Sequence, residues 1–65
     1  MKESKKEEIY RWIIENVKKP TSISDIARRI GISWPTVDKW VHVLNSEGKI
    51  TIIEFGNMKL VVPKR

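Results

Sequence analysis

Apolar residues follow two rhythms along this chain of 65 residues, and the rhythm changes near residue 49. Before it they recur three and four positions apart, which is one face of an α-helix. The first such stretch holds Ile9, Trp12, Ile13 and Val17, with Tyr10 and Ile14 widening its face. The second holds Ile23, Ile26, Ala27 and Ile30, and the third Val37, Trp40, Val41 and Leu44. Each stretch is bounded by end signals. Ser4 with Glu7 three residues on makes a capping box, Lys18 and Lys19 suit the negative helix end, and Pro20 stops the helix. Ser22 caps the second helix, with Asp25 favourable to its dipole, and Gly31 closes it through a positive φ. Ser33 caps the third, which opens on Trp34 and Pro35. Proline costs little there, because first-turn N–H groups lack intrahelical partners. Gly48 ends that helix, so the pattern predicts helices over about 4–18, 23–30 and 34–47.

From residue 50 the period is two. Residues 50–55 and 58–62 are rich in Ile, Val and Phe and are separated by Gly56-Asn57, a tight-hairpin signal. A two-residue turn pairs Phe55 with Met58, Glu54 with Lys59, Ile53 with Leu60 and Ile52 with Val61. One face then carries Ile50, Ile52, Val61 and the Glu54/Lys59 pair, and is expected on the core. The other carries Thr51, Ile53, Phe55, Met58, Leu60 and Val62, unusually apolar for a surface facing solvent. The fold class expected is α+β: three helices and a C-terminal two-stranded hairpin, in a single domain spanning residues 1–65.

Composition narrows the function. Cysteine is absent, so no disulfide or thiolate metal site supports a chain short enough to be marginal, and a reducing interior suits it. Residues 1–8 hold one apolar residue, Met1, and no long apolar run follows. We therefore expect no signal peptide, no membrane span and a cytoplasmic location. Glutamine is absent while lysine and glutamate abound, a lean toward a thermophile. A single histidine and no glycine-rich phosphate loop leave no nucleophile–base pair, so neither an enzyme nor a cofactor is expected. Asp38 and His42, four apart, are too few for a metal site and read as a local surface pair. Net charge is +5 and the pI about 9.8, which raises the prior for a polyanionic partner. The excess is uneven. Residues 21–48 carry three basic and three acidic side chains, residues 1–20 six against four, and residues 49–65 four against one.

Ala27, with Gly31 four residues later and branched apolar residues Ile26, Ile30, Ile32 and Val37 around them, makes the stretch resemble a helix-turn-helix. With the hairpin behind it, nearly the whole chain, residues 5 to 63, resembles a winged helix-turn-helix domain. The run "GISWPTVDKWVHVLNSEGKI" is similar to the recognition helix and wing entry of archaeal and bacterial transcriptional regulators. Trp40 is larger than that pattern usually holds.

The resemblance implies double-stranded DNA as partner, with the third helix in the major groove and its N-terminal residues at base edges. With Val37, Val41 and Leu44 turned inward, Trp34, Thr36 and Lys39 point out, with Asp38 and His42 beside them. Ser33 and the first-turn amides can hold a phosphate beside Pro35, and Thr36 and Lys39 can reach bases. Asp38 can accept from cytosine, although phosphates repel it. Trp34 packs on sugar or a thymine methyl, or else folds back near Ile30 or onto a partner surface. Arg28 and Arg29 can hold the backbone, and Lys59, with Lys49, Lys64 and Arg65 around it, an adjacent groove. Lys2, Lys5 and Lys6 alternate with Glu3, Glu7 and Glu8 and read as a solvated face. A homodimer through Tyr10 and Ile14, or through Ile53, Phe55 and Leu60, would double the DNA contacts; core packing is the other reading of those residues. The alternative function is a winged-helix module that binds protein inside a larger assembly, favoured by the neutral second and third helices and the apolar wing.

Overall fold

Ser4 accepts a hydrogen bond on its Oγ from the Glu7 amide at 3.2 Å, and helix α1 (Lys5–Asn16) starts there. The computed structural model describes residues 4–64; Lys2, Glu3 and Arg65 lie outside the described residues. The apolar stripe of α1 runs on to Val17, but the helix does not. Val17 is already extended, at φ −93° and ψ 108°, while its amide still reaches the Ile13 carbonyl at 2.9 Å and its side chain stays buried. The stripe therefore overstates the helix, which stops short of residue 18. Pro20 bars helical geometry at the residue before it, and the chain must turn to reach the sheet. Lys18 and Lys19 fall in this turn, so no basic residue sits in the last turn of α1. Asn16 occupies that end instead, donating from Nδ2 to the Trp12 carbonyl at 2.9 Å.

The chain continues through strand β1 (Thr21–Ser22), helices α2 (Ile23–Ile30) and α3 (Trp34–Ser46), and strands β2 (Ile50–Phe55) and β3 (Met58–Pro63). The sheet order is β1-β3-β2, antiparallel throughout. The hairpin pairs Phe55 with Met58, Glu54 with Lys59, Ile53 with Leu60 and Ile52 with Val61, the register its two-residue turn requires. Gly56 has φ 62° and Asn57 has no positive φ, the signature of a type II′ turn with glycine first. The sheet has one strand more than the two expected. Thr21 and Ser22 pair with Val61 and Leu60, and two residues are too few to show a period.

Ser22 joins two elements, since it also caps α2 by accepting from the Asp25 amide at 3.1 Å. Gly31, at φ 80°, ends α2, and the Gly31 and Ile32 amides both reach the Ala27 carbonyl, at 3.0 and 3.2 Å.

The core lies where the three helices meet the inner face of the hairpin. It holds Ile9 and Ile13 from α1, Ile26 and Ala27 from α2, Val37, Val41 and Leu44 from α3, and Ile50 and Val61 from the sheet. The hairpin faces lie as the alternation predicts. Ile50 and Val61 are buried, whereas Ile53, Phe55 and Met58 are 42%, 64% and 54% exposed. Trp40 and Ile30, both counted on core faces, are half-buried at its margin.

An ion pair ties the start of α1 to the end of α3. Lys6 Nζ donates to Glu47 Oε2 at 2.9 Å, and Lys49 lies 3.9 Å from the other carboxylate oxygen. The Lys6 hydrogen bond holds the Glu47 carboxyl below its ordinary value; slight desolvation opposes this, and the charges of Lys6 and Lys49 add to it. A lowered carboxyl pKa stabilises the fold above the unfolded-state value, and that contribution fades as pH falls through the folded-state value. In Lys6→Ala, Glu47 should therefore titrate at higher pH when followed by carboxyl NMR. The variant's loss of Tm should be present at neutral pH and vanish in acid.

Candidate nucleic-acid interface

Helix α3 begins differently from the other two. Ser4 and Ser22 each turn a hydroxyl onto a first-turn amide. Ser33 stands at the N-cap position of α3, and its carbonyl accepts the Val37 amide at 3.1 Å, but its side chain makes no cap hydrogen bond. Its Oγ meets Thr36 Oγ1 at 2.9 Å instead. This corrects the expectation that the Ser33 hydroxyl caps the helix, and it places Thr36 in a hydrogen bond within its own turn. The leading end of α3 thus keeps an edge of first-turn amides without a side-chain cap, at the positive end of the helix dipole. Pro35, in this first turn, is exposed and has no N–H to lose.

Trp34 is 46% exposed and belongs to no part of the core cluster. It walls an open groove of about 440 Å³ whose other residues are Ser22, Ile23 and Ser24 at the start of α2 and Asn57, Met58 and Lys59 at the wing turn. Trp34 shares this groove with the start of α2, whereas Ile30, at the end of α2, packs against the core. Ser24, Asn57 and Met58 also line the groove, and no periodicity or motif marks them as groove residues. Asn57 and Met58 signal only a turn and a strand, and nothing in the chain order sets the wing turn opposite Trp34.

The charged candidates divide into several settings. Lys39 is exposed, with its ammonium 4.7 Å from the Trp40 ring centroid. Arg28 is paired with Asp25 at 2.6 Å, yet its side chain is 80% exposed. Arg29 turns the other way: it lies 3.8 Å from Asp25 and 5.2 Å from the Trp12 ring centroid on α1. A shallower groove joins Arg28, Arg29 and Asp25 to Lys19, Pro20 and Ser24, so the α2 cations border the space beside β1.

Asp38 and His42 form the local pair expected, with Oδ1 to Nε2 at 3.3 Å. The approach is short but misdirected for a hydrogen bond, so Asp38 Oδ1 is a buried oxygen without a hydrogen-bond partner. His42 Nε2 also lies 3.4 Å from Lys59 Nζ, which links α3 to the wing. Lys49 and Lys64 do not surround Lys59. They sit at the open end of the hairpin, the Lys64 amide meeting the Lys49 carbonyl at 3.4 Å and the Lys49 ammonium 5.3 Å from the Tyr10 ring centroid. A hairpin puts residues just outside its strands at the end opposite the turn, so chain proximity misled here.

Tyr10 packs against the core and Leu60 is half-buried, which leaves Ile14, Ile53 and Phe55 exposed among the residues considered for a dimer. No described helix is long and apolar enough to cross a membrane.

A family model described as a helix-turn-helix domain matches residues 6–52. The crystal structure of a hypothetical protein from Pyrobaculum spherical virus superposes with a TM-score of 0.76 at 30% identity, over 86% of this chain and 37% of that one. This chain thus spans well under half the length of that viral protein. No curated protein matches it. The family match runs from α1 through α3 into β2, more than half of the chain, and the fold is the α+β winged-helix arrangement; the chain belongs to the helix-turn-helix domain family.

Proposed function

We propose that this chain binds double-stranded DNA as a sequence-specific transcriptional regulator, with α3 in the major groove and the wing on the adjacent backbone. The helix-turn-helix family suggests DNA as partner and is typically non-enzymatic. The observation that carries the rest is the outward leading end of α3, where exposed Trp34 opens onto a groove closed on its far side by Lys59 of the wing. Ser33, Pro35 and Thr36 present polar atoms and backbone to a phosphate or a base edge. Lys39 and Arg28 flank them. Asp38 and His42, half-buried and exposed on α3, stand beside them as further candidates for base contact.

Three cations, Lys39, Arg28 and Lys59, set the electrostatic share. Three phosphate contacts give a salt slope of about −2.7, so affinity should fall roughly 40-fold between about 50 and 200 mM salt. A mobility-shift titration measures this, and Lys39→Ala and Arg28→Ala should each flatten the slope. No binding at about 10 μM in low salt excludes the reading, since non-specific DNA binders reach that range. Selection on random DNA tests sequence specificity by enriching a half-site. Two half-sites about one helical turn apart would report a dimer, for which exposed Ile53 and Phe55 of the outer wing face are the candidate surface. The same exposed residues, with Met58, favour the second reading, a protein-binding winged-helix module. Sedimentation on and off DNA separates a self-associating chain from a monomer.

A further inference from the structure

Two large apolar side chains stand open beside one groove. Trp34 of α3 and Met58 of the wing are 46% and 54% exposed, and Ile23 of α2 adds a third apolar wall. Burying such surface is favourable, so the groove suits an apolar surface that enters it. Polar groups border the same space. Ser24 Oγ and the Asn57 side-chain amide have no hydrogen-bond partner among the described residues, and Lys59 brings an ammonium. The groove volume, about 440 Å³, is that of sites that hold small organic groups.

We propose that this groove holds one unpaired nucleotide of the bound DNA. The base lies against Trp34 with Met58 beside it, Asn57 and Ser24 read its edge, and Lys59 holds its phosphate. The proposal rests on the DNA reading above and adds a feature of the DNA that this reading does not require. Lys59 keeps the one phosphate contact already assigned to it, and what is added is the base. Asn57 is suited to a base edge, because its amide both donates and accepts. A bare phosphodiester fits less well. Its oxygens only accept, so the Asn57 carbonyl and three apolar side chains would go unused.

The energetics favour a base that is already unpaired. Within a duplex both faces of a base are covered by its neighbours, so Trp34 reaches a face only when the base leaves the stack. Stacking on one aromatic side chain is worth roughly 5- to 150-fold in affinity. Extracting a paired base costs a comparable factor, and the cost is least for a base with no partner. An intact duplex therefore gains little from the groove, whereas a bulge or a strand end gains nearly the whole stack.

Fluorescence anisotropy in low salt compares a fully paired duplex with the same duplex carrying one bulged deoxyadenosine. The bulge should bind about 10-fold tighter. An abasic residue in the bulge keeps the flexible backbone and deletes the base, and it should return affinity to the paired level. Trp34→Ala should lose the preference without loss of Tm, and Trp34→Phe should keep part of it. Ser24→Ala and Asn57→Ser should even out the affinities for the four bases placed in the bulge. Tighter binding to a one-nucleotide 3′ overhang supports the same groove with a strand end as the source. Equal affinity for the paired, bulged and overhang duplexes overturns the nucleotide site and leaves the DNA reading standing. A preference that survives Trp34→Ala, or that the abasic bulge shares, also overturns it. Unaltered base discrimination in both Ser24→Ala and Asn57→Ser overturns the edge contacts. Absence of binding to any of these DNAs overturns the DNA reading, and this site with it.

Discussion

Leu44→Ala should cost about 3 kcal/mol of folding stability and lower Tm by roughly 12–24 °C in a domain this size. Leu44 is fully buried on the inner face of α3, in the cluster that joins all three helices to the sheet. Truncation removes its transfer free energy and leaves a cavity that the surrounding branched side chains fill poorly. A chain of 65 residues has little in reserve, because domains of this length bury a smaller share of their surface than larger ones do. The companion variant is Ile53→Ala. It also truncates an apolar residue, but one 42% exposed on the outer wing face, and it should stay within about 0.5 kcal/mol of the native chain. Thermal melts followed by circular dichroism compare the two. Equal losses would mean that the inner and outer faces have been confused.

Trp34→Ala should separate function from folding. The side chain is half exposed and outside the core cluster, so Tm should move little. Affinity for a duplex should drop by about 2 kcal/mol, close to 30-fold, because a tryptophan at the centre of an interface is a frequent hot spot. Trp34→Phe should recover part of the loss, since it keeps an aromatic wall opposite Met58. Fluorescence anisotropy on a labelled duplex, alongside a melt of each variant, gives both quantities. A Trp34→Ala chain that melts many degrees lower would make this residue a structural plug, and unchanged affinity would remove it from the interface.

Much of the architecture was legible in the chain. Spacings of three and four found the inner faces of α1, α2 and α3, and Gly56-Asn57 fixed the hairpin register to the residue. These signals are local, and each is repeated several times within its element. What was not legible depends on contacts between distant segments. Strand β1 exists only because Val61 and Leu60 lie beside Thr21 and Ser22. Val17 keeps its place in the core after the helix beneath it has ended, so burial and helicity part company there. At the site, periodicity placed Trp34, Thr36 and Lys39 outward, but it gave no sign that the wing turn closes a groove over Trp34. It also hid the choice made by Ser33, whose hydroxyl takes a side-chain partner over the backbone amide it ordinarily caps. The Asp38–His42 pair followed from a spacing of four, whereas the approach of Lys59 needs the fold of the whole hairpin against α3.

The proposed function depends on the leading end of α3 being the surface that meets DNA. Amide chemical-shift mapping of the labelled chain against a duplex in low salt tests this directly, because it reports binding and location together. The expected result is a continuous set of perturbed amides over residues 33–42, 57–59 and the start of α2, with Ile53, Phe55 and the exposed side of α1 unchanged. Perturbations confined to Ile14, Ile53 and Phe55, or none at about 10 μM, where even non-specific DNA binders respond, would contradict it.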